Sequence, residues 1–598
     1  MVARKALEQF PNLVSMFFAR AAERRDAPFL WAKQDDAWQS ISWRAAADQV
    51  RSLAAALKAE GIRPGDRVML VSENRPEWCL ADLAIMAAGA VTVPTYTTNT
   101  ERDHLHILEN SGARAAFVST AKLARVFLPA AMRSTCCKTV IGFERLRGPQ
   151  AGDLRFASYS DLIERHAPEE IVSTAVRSDT ACIIYTSGTG GAPRGVKQHH
   201  GAILCNVDGC VEVIAEDFGW GDEIFLSFLP ASHAYEHTGG QYLPIALGGQ
   251  IYYAESLEKL ASNIEEVRPT IMVVVPRLFE VLRQRIVRAL EKQGGSARYM
   301  MGRALEIGAR TYAGERRLRD MPMDLLLDRV FRPRIRQRFG GRMKAMVSGG
   351  APLNPEVGIF FSSLGLTLLQ GYGQTEAGPV ISCNRPRAKL RMETAGPPLK
   401  GVEVRIAEDG EILVRGELVM EGYWQNPEET ARVLRDGWLH TGDIGVIDAD
   451  GHLRITDRKK DLIVNDKGDN VSPQRVEGML TLEPEIMQAM VVGDRRPYLV
   501  GLIVPDPEWL AEWTAASGKA AGAAGLADDP DLHRALAAAV DRVNAGLSVT
   551  EKVRRFVVAG EAFSIENEEL TPSMKIRRHV IRSRYGAQLD ALYRHERS

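Results

Sequence analysis

The run Ile183-Ile184-Tyr185-Thr186-Ser187-Gly188-Thr189-Gly190-Gly191-Ala192-Pro193-Arg194-Gly195-Val196-Lys197 decides how this chain is read. Residues 180–184 have the apolar texture of a buried strand, and they open into a loop crowded with glycines and hydroxyls and ending in two cations. Glycine lets backbone N–H groups approach an oxyanion closely, hydroxyls add donors, and Arg194 or Lys197 adds charge, so the loop is a phosphate cradle in chemical type. Two familiar cradles fail on spacing. Gly190 and Gly195 fit a Walker loop, but Val196 stands where its lysine should be. Gly188 and Gly190 begin a dinucleotide fingerprint, but Pro193 occupies the third glycine position. A flexible surface loop is the competing reading. The Tyr-Thr-Ser-Gly-Thr entry and Pro-Arg-Gly-Val exit, directly after a buried strand, argue against it.

Around this loop, helical and strand-like patterns alternate. Helices are expected over 44–60 and 78–89, and short apolar strands over 67–71, 90–93, 115–118 and 139–141, the rhythm of an α/β layer fold. Residues 281–345 read as helical and strongly basic, with Arg329, Arg332, Arg334, Arg336, Arg338 and Arg342 close together. From 401 to 456 the texture changes to short strands with frequent glycine. A charged stretch at 456–460 marks a boundary, so the division expected is 1–456 and 457–598, a large layered body with a β-rich subdomain and a small mobile α/β C-terminal domain. The Ala/Gly-rich 515–525 reads as a mobile surface insertion, and 532–547 as a helix.

The chain has 598 residues, enough for three or four structural units. Its 75 basic and 76 acidic side chains nearly cancel, which argues against a nucleic-acid coat or an acidic tail. Seven cysteines without a C-x-x-C do not read as a disulfide framework or zinc site and suit a reducing compartment. The first residues carry Arg4 and Lys5 but no apolar h-region, and the most apolar run, 271–275, is far below the ~20 residues of a membrane span. A cytoplasmic protein is expected, with room for peripheral contact at the inner membrane surface.

Further motifs follow the loop in order: Ser348-Gly349-Gly350-Ala351-Pro352; Gln370-Gly371-Tyr372-Gly373-Gln374-Thr375-Glu376; Trp438-Leu439-His440-Thr441-Gly442-Asp443; Asp457-Arg458-Lys459-Lys460-Asp461-Leu462-Ile463; and Thr571-Pro572-Ser573-Met574-Lys575-Ile576-Arg577. Tyr372 between glycines offers a flat face to a purine, Glu376 a hard oxygen of the kind Mg²⁺ takes beside phosphate, and Asp443 a bidentate acceptor for ribose hydroxyls. A surface carboxylate, a turn aspartate and a tail lysine are the ordinary readings of Glu376, Asp443 and Lys575 taken singly; the surrounding motifs displace them.

Together these motifs resemble the signatures of the adenylate-forming superfamily, which includes acyl-CoA synthetases, luciferases and peptide-synthetase adenylation domains. The similarity runs from about residue 10 to about 585. The resemblance implies that Thr186, Ser187, Gly188, Thr189, Gly190, Gly191, Arg194, Gly350, Ala351, Gly371, Tyr372, Gly373, Gln374, Thr375, Asp443 and Arg458 bind the nucleotide. It implies that Thr186 and Glu376 lie near Mg²⁺, that Lys575 is the catalytic lysine of acyl-AMP formation, and that Lys460 is a hinge. Gly468 would face CoA after the small domain turns. His233, in Leu229-Pro230-Ala231-Ser232-His233-Ala234-Tyr235-Glu236-His237, resembles a residue beside the acyl pocket, against the ordinary alternative of a core histidine.

The basic insertion, residues 484–506 and the pair Glu236-His237 resemble the long-chain fatty-acid–CoA ligases. The expected substrates are therefore a fatty acid, ATP and CoA; the alternatives are a fatty-acyl-AMP ligase serving a carrier protein and a non-catalytic nucleotide-gated binder. The phosphate loop departs from the family pattern at Gly190, for a threonine, and Arg194, for a lysine, and the hinge-proximal loop departs too, reading Asn-Asp-Lys-Gly-Asp-Asn at 465–470. The basic segment 329–342 could meet anionic lipid, or be a solvated face paired with local acids.

Overall fold

A computed structural model describes residues 7–146, 153–186, 193–292, 294–519, 523–571 and 575–594. Two eight-stranded sheets dominate. One runs, in spatial order, Val380–Cys383, Leu368–Gly373, Ala345–Ser348, Ile271–Val274, Ile224–Ser227, Gln250–Tyr253, Pro28–Gln34 and Ala37–Ser42. The other runs Gly422–Tyr423, Arg194–His199, Thr180–Thr186, Val91–Thr95, Arg67–Val71, Ala115–Val118, Thr139–Gly142 and Arg155–Ser158. Both are parallel in the middle and antiparallel toward an edge, as layered α/β sheets with helices on their faces commonly are.

One apolar core joins the sheets. It takes Phe117 and Ile184 from one, Phe225 and Ile251 from the other, and Trp43, Trp78 and Leu204 from the helices between them. The helix Pro76–Ala87 is buried at every position but Glu77 and is apolar nearly all round, as a core helix must be. It starts at Pro76, ahead of the expected 78, because proline's fixed φ and missing N–H suit the first helical position.

The glycine-rich texture after residue 401 is a five-stranded sheet of Glu403–Ile406, Glu411–Arg415, Leu434–Arg435, Trp438–Ile447 and Leu453–Arg458. Beyond it come a small hairpin, Ile463–Val464 with Asn470–Val471, and a three-stranded sheet of Ile486–Val492, Leu499–Pro505 and Val553–Val558. Every residue of Leu499–Pro505 is buried. Its period of two sends Leu499 and Ile503 toward the helices Pro473–Leu480 and Pro530–Ala545, and Val500, Leu502 and Val504 toward the helix Arg578–Ala591. The Ala/Gly-rich 515–525 is less irregular than expected: alanine favours helix, so residues 515–517 finish the helix Pro507–Ser517 and 523–526 form a short one, while 520–522 lie outside the described residues.

The last unit packs on the body. Leu482 joins the core around Phe361, Asn354 donates to the Gly478 carbonyl at 3.4 Å, and Arg288 pairs with Asp506 at 3.6 Å and with Glu508. No helix among the described residues is long and apolar enough to cross a membrane.

Candidate active site

Several of the expected site residues lie where parallel strands end. Ser227, Ser348 and Gly373 close the C-terminal ends of three strands of the first sheet, and Thr186 closes one of the second. In open α/β sheets this edge is where ligands lie. Backbone geometry fixes two glycines there. Gly350 has φ +81°, a left-handed conformation that a Cβ would strain. A Cβ on Gly373 would come within 1.9 Å of the Pro379 carbonyl oxygen, so no larger residue fits. Ala351 follows Gly350 in the same turn, and Gly371 pairs with Cys383 across the strands. Beside them, Ser348 Oγ, Gln370 Oε1, Gln374 Nε2 and Ser382 Oγ are buried and have no hydrogen-bond partner among the described residues. Each such group costs about 1–3 kcal/mol if left unpaired, so this edge is built to bond something polar.

Asp443 is buried at the neighbouring β-rich sheet. The Tyr372 hydroxyl donates to its Oδ2 at 2.6 Å, and Arg458 Nε stands 3.3 Å from its Oδ1. Asp443 and Arg458 are direct cross-strand partners, so strand register places this pair. Thr441 Oγ1 accepts the Asp443 N–H, and Glu411 accepts the Gly442 N–H at 2.9 Å, which pins the turn. Burial pushes the Asp443 carboxyl above its ordinary value, against the pull of Arg458, Tyr372 and Lys575.

Lys575 reaches this cluster from the last unit. Thr571 N–H donates to its carbonyl at 2.8 Å and its own N–H donates to Thr571 Oγ1 at 3.0 Å, shortly before the helix Arg578–Ala591. Burial, and next the Arg458 guanidinium, lower the Lys575 ammonium to about 8, while Asp443 and Glu376 pull it back up. All three groups therefore lie within electrostatic reach of one amine. His233 is a neighbour too: burial, and then Lys575, push its imidazole down to about 4. Its Nδ1 accepts the Tyr235 N–H at 3.2 Å, capping a helical turn and leaving the proton of the neutral ring on Nε2.

Glu376 lies in the short turn after Gly373, and its Oε1 accepts the Tyr423 hydroxyl at 2.8 Å. Arg194 stands 5.8 Å from the Tyr423 ring and pairs with Glu429. Thr186 is the cross-strand partner of Arg194. Thr375, beside Glu376, gives its carbonyl to Gln198 Nε2 at 2.7 Å, which ties this turn to the second sheet. Ser187, Gly188, Thr189, Gly190 and Gly191 lie outside the described residues. Lys460 is exposed, just past the strand Leu453–Arg458. Gly468 is exposed at the tip of the Ile463–Val471 hairpin, whose hydrogen bonds stay within its own unit.

Sequence reasoning missed several partners. Tyr423 links Arg194 to Glu376, and its signal was an aromatic pair, Tyr423-Trp424, after Gly422. Asp82 was legible as the acid in the middle of the apolar helix Pro76–Ala87, past Glu77 in its first turn; its Oδ2 accepts from Gln241 at 2.7 Å and Tyr242 at 2.6 Å and meets His237 Nε2 at 2.9 Å. Glu236 is buried beside them. It accepts the Ser227 hydroxyl at 2.6 Å, and burial raises its carboxyl to about 8.

The family model described as AMP-binding enzyme matches residues 17–424, and its C-terminal-domain model matches 460–597. The chain is 34% identical to Long-chain-fatty-acid--CoA ligase FadD15 of Mycobacterium tuberculosis, covering 98% of this chain and 97% of that one. It is 29% identical to Long chain acyl-CoA synthetase 1 of Arabidopsis thaliana, covering 99% and 92%. In fold it is similar to the A domain of the carboxylic acid reductase from Segniliparus rugosus, solved in complex with AMP and a co-purified carboxylic acid, with a TM-score of 0.78 at 21% identity over 99% of this chain and 95% of that one. With nearly its whole length matched in both sequence and fold, the chain belongs to the AMP-binding enzyme family.

Proposed function

We propose that this protein is an ATP-dependent fatty-acid–CoA ligase of the AMP-forming type, acting on long-chain acids. One observation carries the reading: Lys575, borne by the last unit, stands within electrostatic reach of Asp443, Arg458, Glu376 and His233, borne by the body. Relatives named as long-chain ligases, alike over nearly the full chain, supply the acid class.

In the first step a carboxylate oxygen attacks the α-phosphorus of ATP and the bond to pyrophosphate breaks. Negative charge then spreads over the attacking and leaving oxygens, where the Lys575 ammonium stabilises it. At neutral pH an amine near 8 is mostly charged, so the group is ready without prior protonation. Asp443 and Arg458 hold the ribose, with Tyr372 against the purine. Gly350, Ala351, Gly371, Gly373, Gln374 and Thr375 line the nucleotide, and Thr186 through Gly191 with Arg194 take the phosphates. His233, neutral, borders the acid. Glu376 has one oxygen on Tyr423 and the other free of hydrogen bonds among the described residues. With Thr186 it offers the hard donors Mg²⁺ takes beside phosphate oxygens, and the ion would neutralise triphosphate charge there. In the second step residues 457–598 turn about Lys460, bringing Gly468 toward CoA. The CoA sulfur attacks the acyl carbonyl carbon, the thiol proton passes to solvent, and AMP leaves. We also read the basic segment 329–342 as a peripheral membrane contact.

The test is AMP release with CoA across acids from acetate to C20. Long-chain acids giving the highest kcat/KM support the reading. Pyrophosphate release without acyl-CoA would move the assignment to a ligase loading a carrier protein, and no acid-dependent pyrophosphate would remove the enzyme reading altogether.

A further inference from the structure

The cation on the site side of the strand that leaves the phosphate loop already has an anion. Arg194 opens the strand Arg194–His199, whose period of two puts it on one face with Val196 and Gln198. That face meets the site: Val196 joins the core around Tyr423, and Gln198 Nε2 donates to the Thr375 carbonyl at 2.7 Å, beside Glu376. Lys197 falls on the opposite face and pairs with Glu421 at 3.2 Å. Arg194 Nη1 donates to Glu429, the one hydrogen bond of its guanidinium among the described residues, and its Cζ lies over the Tyr423 ring, 5.8 Å from the centroid.

The chain delivers Glu429 there by short steps. Gly422–Tyr423 pairs with Val196 and Lys197, the Asn426 side chain accepts the Glu429 N–H at 3.1 Å at the start of the helix Pro427–Val433, and Thr430 Oγ1 accepts the Tyr423 N–H at 2.9 Å. The other Glu429 oxygen pairs with Arg432 at 3.1 Å. A guanidinium grips phosphate through two parallel hydrogen bonds, which a lysine ammonium cannot do. Such a grip draws the triphosphate in but also holds pyrophosphate back. Glu429 works against it, because a carboxylate on Nη1 blocks part of the fork until phosphate displaces it. Displacement costs little: the pair is partly exposed, and Glu429 keeps Arg432 when Arg194 leaves. Tyr423 donates its hydroxyl to Glu376 at 2.8 Å, and among the described residues Arg194 makes no ion pair with Glu376, so the exchange leaves that carboxylate untouched.

We infer that Glu429 is a positioning residue that holds Arg194 when no phosphate is bound and yields it when phosphate arrives, so that the grip on pyrophosphate is weaker than an unopposed arginine would give. The inference rests on the ligase reading, in which pyrophosphate is formed and must leave, and it assigns a residue to which that reading gives no part.

Pyrophosphate is titrated into the full-length protein by calorimetry with EDTA present, so that no metal contributes. Glu429→Gln keeps the side chain's size and its capped N–H, and should bind pyrophosphate about fivefold more tightly than wild type, the worth of a partly exposed ion pair. A merely structural role would lower the affinity instead. In the Arg194→Ala background, titrated at higher concentration, Glu429→Gln should change the affinity by less than about twofold, because its effect runs through Arg194. In turnover, Glu429→Gln should lower the KM for ATP and make pyrophosphate a stronger inhibitor. Unchanged or weaker binding by Glu429→Gln would overturn the inference, weaker binding making Glu429 a brace that aims the guanidinium. Equal tightening with and without Arg194 would overturn it too, as a general effect of charge. A wild type that binds neither pyrophosphate nor ATP would remove the ligase reading and the inference with it.

Discussion

Lys575 and Glu236 show how far one side chain's surroundings set its chemistry. Lys575→Ala should reduce acyl-AMP formation by about 10²-fold or more while largely sparing thioester formation from supplied acyl-AMP, read as separate half-reactions by pyrophosphate and thioester release. Equal loss in both would contradict its assignment to the first step. Glu236 makes a different claim. Its carboxyl sits at about 8 in the fold and near 4.5 when exposed, so the folded state holds the proton more tightly. The stability this gives is complete below pH 4.5 and is lost as pH rises toward 8. Glu236→Gln keeps the neutral shape at every pH, so its Tm should fall less than that of wild type between about pH 5 and pH 8 in thermal melts. Lys575, Asp443 and Glu376 were legible because each sits in a motif. Glu236 stands in the sequence only as one letter of a pattern, since nothing in a sequence says that a glutamate is buried beside Ser227.

At the scale of elements, the strands of the body were plain in the sequence because buried parallel strands are short apolar runs, such as Arg67–Val71 and Ala115–Val118. What stayed hidden was long-range pairing. Tyr423 meets Glu376 only because its strand pairs with Arg194–His199, a register no local pattern announces. The contact of the helix Pro276–Lys292 with the start of Pro507–Ser517 is of the same kind: Arg288 reaches Asp506, which caps that second helix, and Glu508 beside it. This pair helps hold Lys575 at the body. A partly exposed ion pair contributes about 1 kcal/mol at most, so Arg288→Ala should slow acyl-AMP formation by up to about fivefold in single-turnover assays and leave the thioester step at its wild-type rate. A slower thioester step would show that the contact is not specific to the first arrangement.

For the molecule as a whole, balanced charge said nothing about distribution, and the structure supplies it: arginines such as Arg329, Arg334, Arg336 and Arg338 exposed outside, and inside a lysine held among Asp443, Glu376 and Arg458. That burial has a consequence for the proposed turn of the last unit. Any arrangement that withdraws Lys575 into water returns its ammonium from about 8 to its ordinary 10.5. The packed arrangement is therefore penalised at low pH and relieved as pH rises. In the ligand-free protein, going from about pH 7 to pH 9 should favour it by about tenfold, visible as a shift in energy transfer between labels on the two units; a pH-independent distribution would contradict this. Docking and proton loss are then coupled, weakly at pH 7 and more strongly as pH rises past 8. Near pH 8 each closure sheds about half a proton and each opening takes it back, so a ligand that shifts the population toward the packed arrangement releases protons in proportion to that shift.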